Sequence, residues 1–143
     1  MKINRKGYAH WEGGFKDGRG SLTTQSGALK AYPYGVASRF EGMPGTNPEE
    51  LLGVAHVGCF TMALSSVLGE ANLTVERLET SAEATLESVG GGFAITAVHL
   101  TLKATIPGAD KHTFDNLTAS AKANCPVSKV LGARITLDAE LLT

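Results

Sequence analysis

The sequence predicts an α+β fold, and three observations carry the prediction. The opening is turn-rich with short β-prone pieces, a sharply capped apolar helix begins near Thr46, and a glycine-centred hairpin pattern runs from Thr80 to Ile106. At 143 residues the chain is long enough for one self-sufficient core and too short for a second full domain. No repeat, low-complexity tract or linker divides it, so residues 1–143 are expected to form a single continuous domain.

Each element has its own signal. Up to about Gly45, pieces such as Gly20 to Thr24 and Tyr34 to Phe40 are broken by Gly13-Gly14, Asp17-Gly18, Ser26-Gly27 and Gly42 to Gly45, which predicts antiparallel sheet. In Thr46-Asn47-Pro48-Glu49-Glu50, Asn47 can cap, Pro48 suits the first helical position, and Glu50 stands where a capping box closes. This helix should run to about Gly69 or Ala71, where Asn72 and the β-branched Thr74-Val75 end the pattern. Gly90-Gly91-Gly92 then marks the turn of a long hairpin whose second strand alternates Val98, Leu100, Leu102, Ala104 and Ile106. Pro107-Gly108 ends the hairpin. Phe114, Leu117 and Ala121 recur at helical spacing within Thr113 to Ala123, and Pro126 opens a short further helix after Cys125. Ile135, Leu137, Ala139 and Leu141 share one face of a closing strand over Ala133 to Leu142.

Thirteen basic residues against fourteen acidic ones give a net charge of −1, which supplies no field for a phosphate backbone and argues against nucleic acid as a partner. The N-terminus lacks the apolar core of a secretory signal, which points to the cytoplasm. Leu51 to Leu68 carries no Lys, Arg, Asp or Glu and so reaches spanning length, but it holds His56, Thr61, Ser65 and Ser66 and lacks flanking cations and an aromatic belt. It is therefore expected to be a soluble core helix, buried on most sides. Its circumference is so generally apolar or small, with thin positions at Gly53, Gly58, Ala63 and Ser66, that a second copy of the chain is expected to cover part of it in a homodimer.

The chemistry centres on two cysteines, Cys59 and Cys125, with no Cys-x-x-Cys between them. Paired cysteines in a cytosolic chain are commonly inert core residues. Cys125, however, directly precedes a helix-opening proline, where unpaired N–H groups stabilise a thiolate. Cys59 falls mid-helix, so its activation would need an external cation: Arg39 first, then Arg19 or His56. His56 lies three positions before Cys59 on one helical face, which keeps open a Cys-His hydrolase, although no oxyanion donor or orienting acid can be placed with the pair. His10, His99 and His112 offer no spacing for a metal site, and the glycines of Glu12 to Gly20 have no Walker spacing; neither metal nor cofactor is expected. Glu49 precedes Cys59 by ten residues, roughly 15 Å along one helix. It could serve the thiol only by orienting a long cation such as Arg39 or by reaching another copy.

The ordered set Arg39, Thr46-Asn47-Pro48-Glu49-Glu50-Leu51, Ala55-His56-Val57-Gly58-Cys59-Phe60 and Asn124-Cys125-Pro126-Val127-Ser128 resembles the OsmC branch of the OsmC/Ohr family. The other branch comprises the organic hydroperoxide resistance proteins. The likeness extends from Ala9-His10-Trp11-Glu12-Gly13 to Ile135-Thr136-Leu137-Asp138. It implies an intertwined homodimer with antiparallel sheets around two long central helices, acting as a thiol peroxidase on organic hydroperoxides and less well on hydrogen peroxide. By the same resemblance Cys59 matches the peroxidatic cysteine, Cys125 the resolving cysteine, and Glu49 the acid that holds the catalytic arginine. In the Ohr branch that arginine sits in a Gly-Arg-Asp-Gly turn, where this chain has Phe15-Lys16-Asp17-Gly18, so the role falls to Arg39. An external dithiol would restore a Cys59–Cys125 disulfide. The competing class is a redox sensor or stress-response binding module on the same fold, whose cysteines are oxidised once rather than turned over.

Overall fold

A computed structural model describes residues 1–142 and divides the chain into two compact units, residues 1–51 and the part from Leu52 onward. In the first unit, β1 (Gly7–Glu12), β2 (Arg19–Thr24) and β3 (Tyr32–Tyr34) form an antiparallel sheet in that order. Gly20 is where this sheet admits no side chain: a Cβ there would lie 2.5 Å from the Tyr34 ring and 2.6 Å from Trp11. The two rings instead meet edge to face across it, with centroids 5.6 Å apart.

The expected strand from Tyr34 to Phe40 holds only at Tyr34, because Val36–Phe40 forms a short helix, α1. Local composition favours strand there, but the buried Ser38 hydroxyl accepts from the Gly35 N–H at 3.0 Å and donates to the Thr46 carbonyl at 2.8 Å. Strand β1, by contrast, is an element that sequence reasoning omitted. All its side chains are exposed, so no apolar alternation marks it.

Helix α2 (Pro48–Glu70) starts as its capping signals predict, with the Asn47 side chain accepting from the Glu50 N–H at 2.7 Å. The capping box is only half closed. Glu50 turns its carboxylate to the Thr46 hydroxyl, 2.8 Å away, rather than to the Asn47 backbone. At the far end Asn72 takes a left-handed φ of 60°, the conformation that commonly terminates a helix.

In the second unit, His56, Phe60, Leu64 and Leu68 form the buried stripe of α2 at four-residue intervals. The three apolar members join one core with Val98, Leu100, Leu102, Ala104, Ile106, Phe114, Ala121 and Cys125. The expectation that the helix is buried on most sides does not hold within one chain: Val54 and Met62, on the opposite face, are 67% and 76% exposed. By length and composition α2 could cross a membrane, yet its stripe is built into the centre of a folded core.

Strands β4 (Arg77–Val89) and β5 (Gly92–Thr105) make the expected hairpin. Its two-residue turn places both Gly90 and Gly91 at positive φ, 56° and 81°, which a primed hairpin turn requires. Helix α3 (Lys111–Asn124) begins two residues before the expected Thr113, because Asp110 is its cap and accepts from the Thr113 N–H. Helix α4 (Pro126–Val130) follows, and β6 (Arg134–Leu142) returns parallel to β5, making β5 the centre of a three-stranded sheet. Central placement explains why the alternate residues of β5 are fully buried while those of β6 are only partly covered.

Candidate active site

The first unit holds a charged pair. Helix α1 carries Arg39, and the first turn of α2 carries Glu49. Arg39 donates Nε–H to Glu49 Oε1 at 3.0 Å and Nη2–H to Oε2 at 2.9 Å, a bidentate fork. Glu49 is nearly enclosed, with 10% of its side chain exposed, whereas Arg39 is 34% exposed. The carboxylate therefore fixes a guanidinium that still reaches solvent, with donors to spare. Its carbon lies 5.4 Å from the centre of the Phe40 ring. Beside it opens a cleft of about 230 Å³ whose walls include Trp11, Phe15, Tyr34, Val36 and Phe40. These aromatic residues were not singled out from the sequence; the likeness around Trp11 was the only pointer.

The second unit holds the thiols. Both cysteines are free: Cys59 is partly exposed and Cys125 is fully buried. The two thiols lie near enough for each to shift the other's titration, so α2 and the junction of α3 with α4 bring together the two residues that the sequence singles out as a pair. Cys125 is both the C-cap of α3 and the N-cap of α4. It ends the first helix because Pro126 follows, and its Sγ accepts from the Ser128 N–H at 3.4 Å. The Ser128 hydroxyl lies 3.3 Å from the same sulfur. These contacts, with Cys59 and the Val127 N–H, outweigh the upward push of burial and leave the Cys125 thiol more acidic than an ordinary one.

Cys59 goes the other way. Burial raises its pKa, the Val127 N–H opposes that rise, and sharing a proton with Cys125 adds to it. Cys59 is mid-helix in α2, as the sequence predicts, and the nearby Val127 N–H in the first turn of α4 acts to lower its pKa against the effect of burial. His56 does not serve Cys59 as a base. Its Nε2 bonds Ser128 Oγ at 2.7 Å and its Nδ1 has no partner, so the hydrolase arrangement is not formed. Burial lowers the pKa of this imidazole and keeps it neutral. Among the described residues no group of three or more His, Cys, Asp or Glu side chains could hold a metal ion. Read from the sequence alone, the motif Asn124-Cys125-Pro126-Val127-Ser128 assigns Ser128 no part. Its position three residues after Cys125, at the opening of a proline-led helix, was the available signal.

A profile of the OsmC-like protein family matches residues 40–140. The chain is 53% identical over 141 residues to peroxiredoxin OsmC of Escherichia coli K12, covering 99% of each chain. Among solved structures, the organic hydroperoxide resistance protein OhrB of Bacillus subtilis superposes with a TM-score of 0.68 at 26% identity, covering 98% of both chains. An OsmC-like protein from Vibrio cholerae superposes with a TM-score of 0.77 at 15% identity, over 96% of this chain and 99% of that one, a likeness of fold.

Proposed function

Because the chain belongs to the OsmC/Ohr family, we propose that it is a cysteine-dependent peroxidase that reduces organic hydroperoxides, and hydrogen peroxide less well, to alcohols and water. The observation that carries this reading is the pair of free thiols, one partly exposed and one buried, close enough beside the first turn of α4 to shift each other's titration. Exposure decides the order of events. A peroxide can reach Cys59, whereas Cys125 is enclosed.

The Cys59 thiolate attacks the terminal oxygen of the hydroperoxide. The sulfur–oxygen bond forms, the oxygen–oxygen bond breaks, and the alkoxide takes a proton to leave as alcohol. Cys59 is then a sulfenic acid. The Cys125 thiolate attacks its sulfur, and hydroxide departs with a proton as water, leaving a Cys59–Cys125 disulfide. An external dithiol supplies the two electrons that restore both thiols. Since burial raises the Cys59 pKa, the first step needs a cation, and we assign that part to Arg39 as oriented by Glu49. The aromatic cleft beside Arg39 supports a preference for an organic substituent.

The working unit is a homodimer in the cytoplasm. Its support is the bare face of α2 around Val54 and Met62, which adjoins an apolar groove of about 650 Å³ lined partly by Val57, Val75 and Leu78. Sedimentation should give twice the chain mass; a compact, fully active monomer would overturn this part. The function itself is tested by following alkyl hydroperoxide consumption with excess dithiol. Many equivalents per chain are expected, and a stop after one equivalent would indicate a redox sensor instead.

A further inference from the structure

We propose that the buried His56–Ser128 pair positions the Ser128 hydroxyl as a dedicated hydrogen-bond donor to Cys125, so that this sulfur is held as the thiolate and as the leaving group when the disulfide is reopened. His56 is fully buried, its Nε2 is 2.7 Å from Ser128 Oγ, and its Nδ1 has no partner. Burial keeps the ring neutral, with one N–H. If the proton were on Nδ1, a buried donor would be orphaned, which proteins tolerate less than an orphaned acceptor. The proton therefore belongs on Nε2, and Ser128 Oγ accepts it. A hydroxyl has one hydrogen, and with His56 donating to the oxygen, that hydrogen is free for Cys125 Sγ, 3.3 Å away.

Ser128 thus gives the sulfur two donors, its O–H and its N–H at 3.4 Å. A thiolate accepts both, whereas a thiol competes with them through its own proton. The titratable groups facing Cys125 are Cys59 and, through Ser128, His56, both on α2. Resting on the peroxidase reading, the consequence concerns which sulfur a reductant attacks. An incoming thiolate bonds to the partly exposed Cys59 sulfur, the disulfide bond breaks, and Cys125 departs with the electron pair as a thiolate that Ser128 already solvates. The mixed disulfide should form on Cys59. His56 and Ser128 are positioning residues here, since neither meets peroxide.

The test is a thiolate titration by ultraviolet absorbance in the Cys59→Ser background, where Cys125 is the only thiol. Ser128→Ala should raise the Cys125 pKa by about one to two pH units, the loss of one hydrogen bond to a charged group. Ser128→Thr, which keeps the hydroxyl, should restore it. His56→Leu should raise it less, and His56→Gln, which keeps a donor, should recover most of the shift. An unchanged titration in folded Ser128→Ala overturns the proposal. If that variant fails to fold, nitrogen NMR of His56 in the wild-type protein decides the matter: a protonated Nε2 supports the relay and a protonated Nδ1 refutes it. These readouts involve no peroxide, so a shifted titration without peroxide turnover would sustain the relay while rejecting the peroxidase, and the converse would do the opposite.

Discussion

Replacing Glu49 by Gln keeps the shape of the side chain but removes the charge that orients Arg39. In the native pair each carboxylate oxygen accepts one guanidinium N–H, at 3.0 and 2.9 Å. Glutamine has only one acceptor oxygen, and its NH2 would face the second guanidinium donor, so the fork loses one bond outright and the charge assistance of the other. Hydrogen bonds to charged groups contribute about 1.5–3 kcal/mol each, but Arg39 is one-third exposed and water partly replaces what is lost, so the pair should weaken by about 1.5–2.5 kcal/mol. If that energy serves to hold the guanidinium for the first oxidation, the rate constant falls by between about tenfold and a hundredfold. The reaction can be followed by mixing reduced protein with one equivalent of alkyl hydroperoxide and recording the fluorescence of Trp11, the sole tryptophan, alongside thiol loss. Glu49→Asp should fall between Gln and wild type. A Glu49→Gln protein that oxidises at the wild-type rate would refute the role given to the pair.

Further outcomes follow from other parts of the structure. Wild-type protein treated with one equivalent of peroxide should yield, on peptide mapping by mass spectrometry, an intrachain Cys59–Cys125 disulfide; interchain links alone would reject the resolving role of Cys125. His56 is neutral when buried, whereas the unfolded imidazole takes a proton near 6.5, so below that pH the unfolded chain binds more protons. Stability should therefore be undiminished by this group above pH 6.5 and fall as the pH drops through it, an acid loss in denaturant titrations that His56→Gln should reduce. Ser38→Ala strips a hydrogen bond from the Gly35 N–H and another from the Thr46 carbonyl, and should cost about 1–3 kcal/mol in chemical denaturation. Because α1 carries Arg39, it should also slow peroxide oxidation.

What could be read from the chain depended on how local each signal was. Helix α2 was legible because Asn47, Pro48 and the following acids act within one turn, and β5 because its alternate residues are buried in the core. Helix α1 was not, since its five residues are fixed by Ser38 bonding Thr46, eight positions away. Strand β1 left no pattern because all of its residues stay exposed, so no alternation of buried apolar positions marks it. At the site, the cysteines and the Arg39–Glu49 pair were recognisable as residue types in a familiar order. The contact between His56 and Ser128 joins positions 72 apart, and no spacing rule reaches that far. Nor could the sequence show that the first turn of α4 lies near enough to Cys59 to influence its thiol, because this depends on how α4 folds back onto α2.

The central claim is that the peroxide oxygen is transferred to Cys59. It is tested most directly in Cys125→Ser, which has no resolving thiol, by adding one equivalent of cumene hydroperoxide, trapping with dimedone, and locating the adduct by peptide mapping. A dimedone adduct on Cys59, with one cumyl alcohol formed per chain, is the expected result. An unmodified Cys59 in protein that has consumed the peroxide would contradict the account.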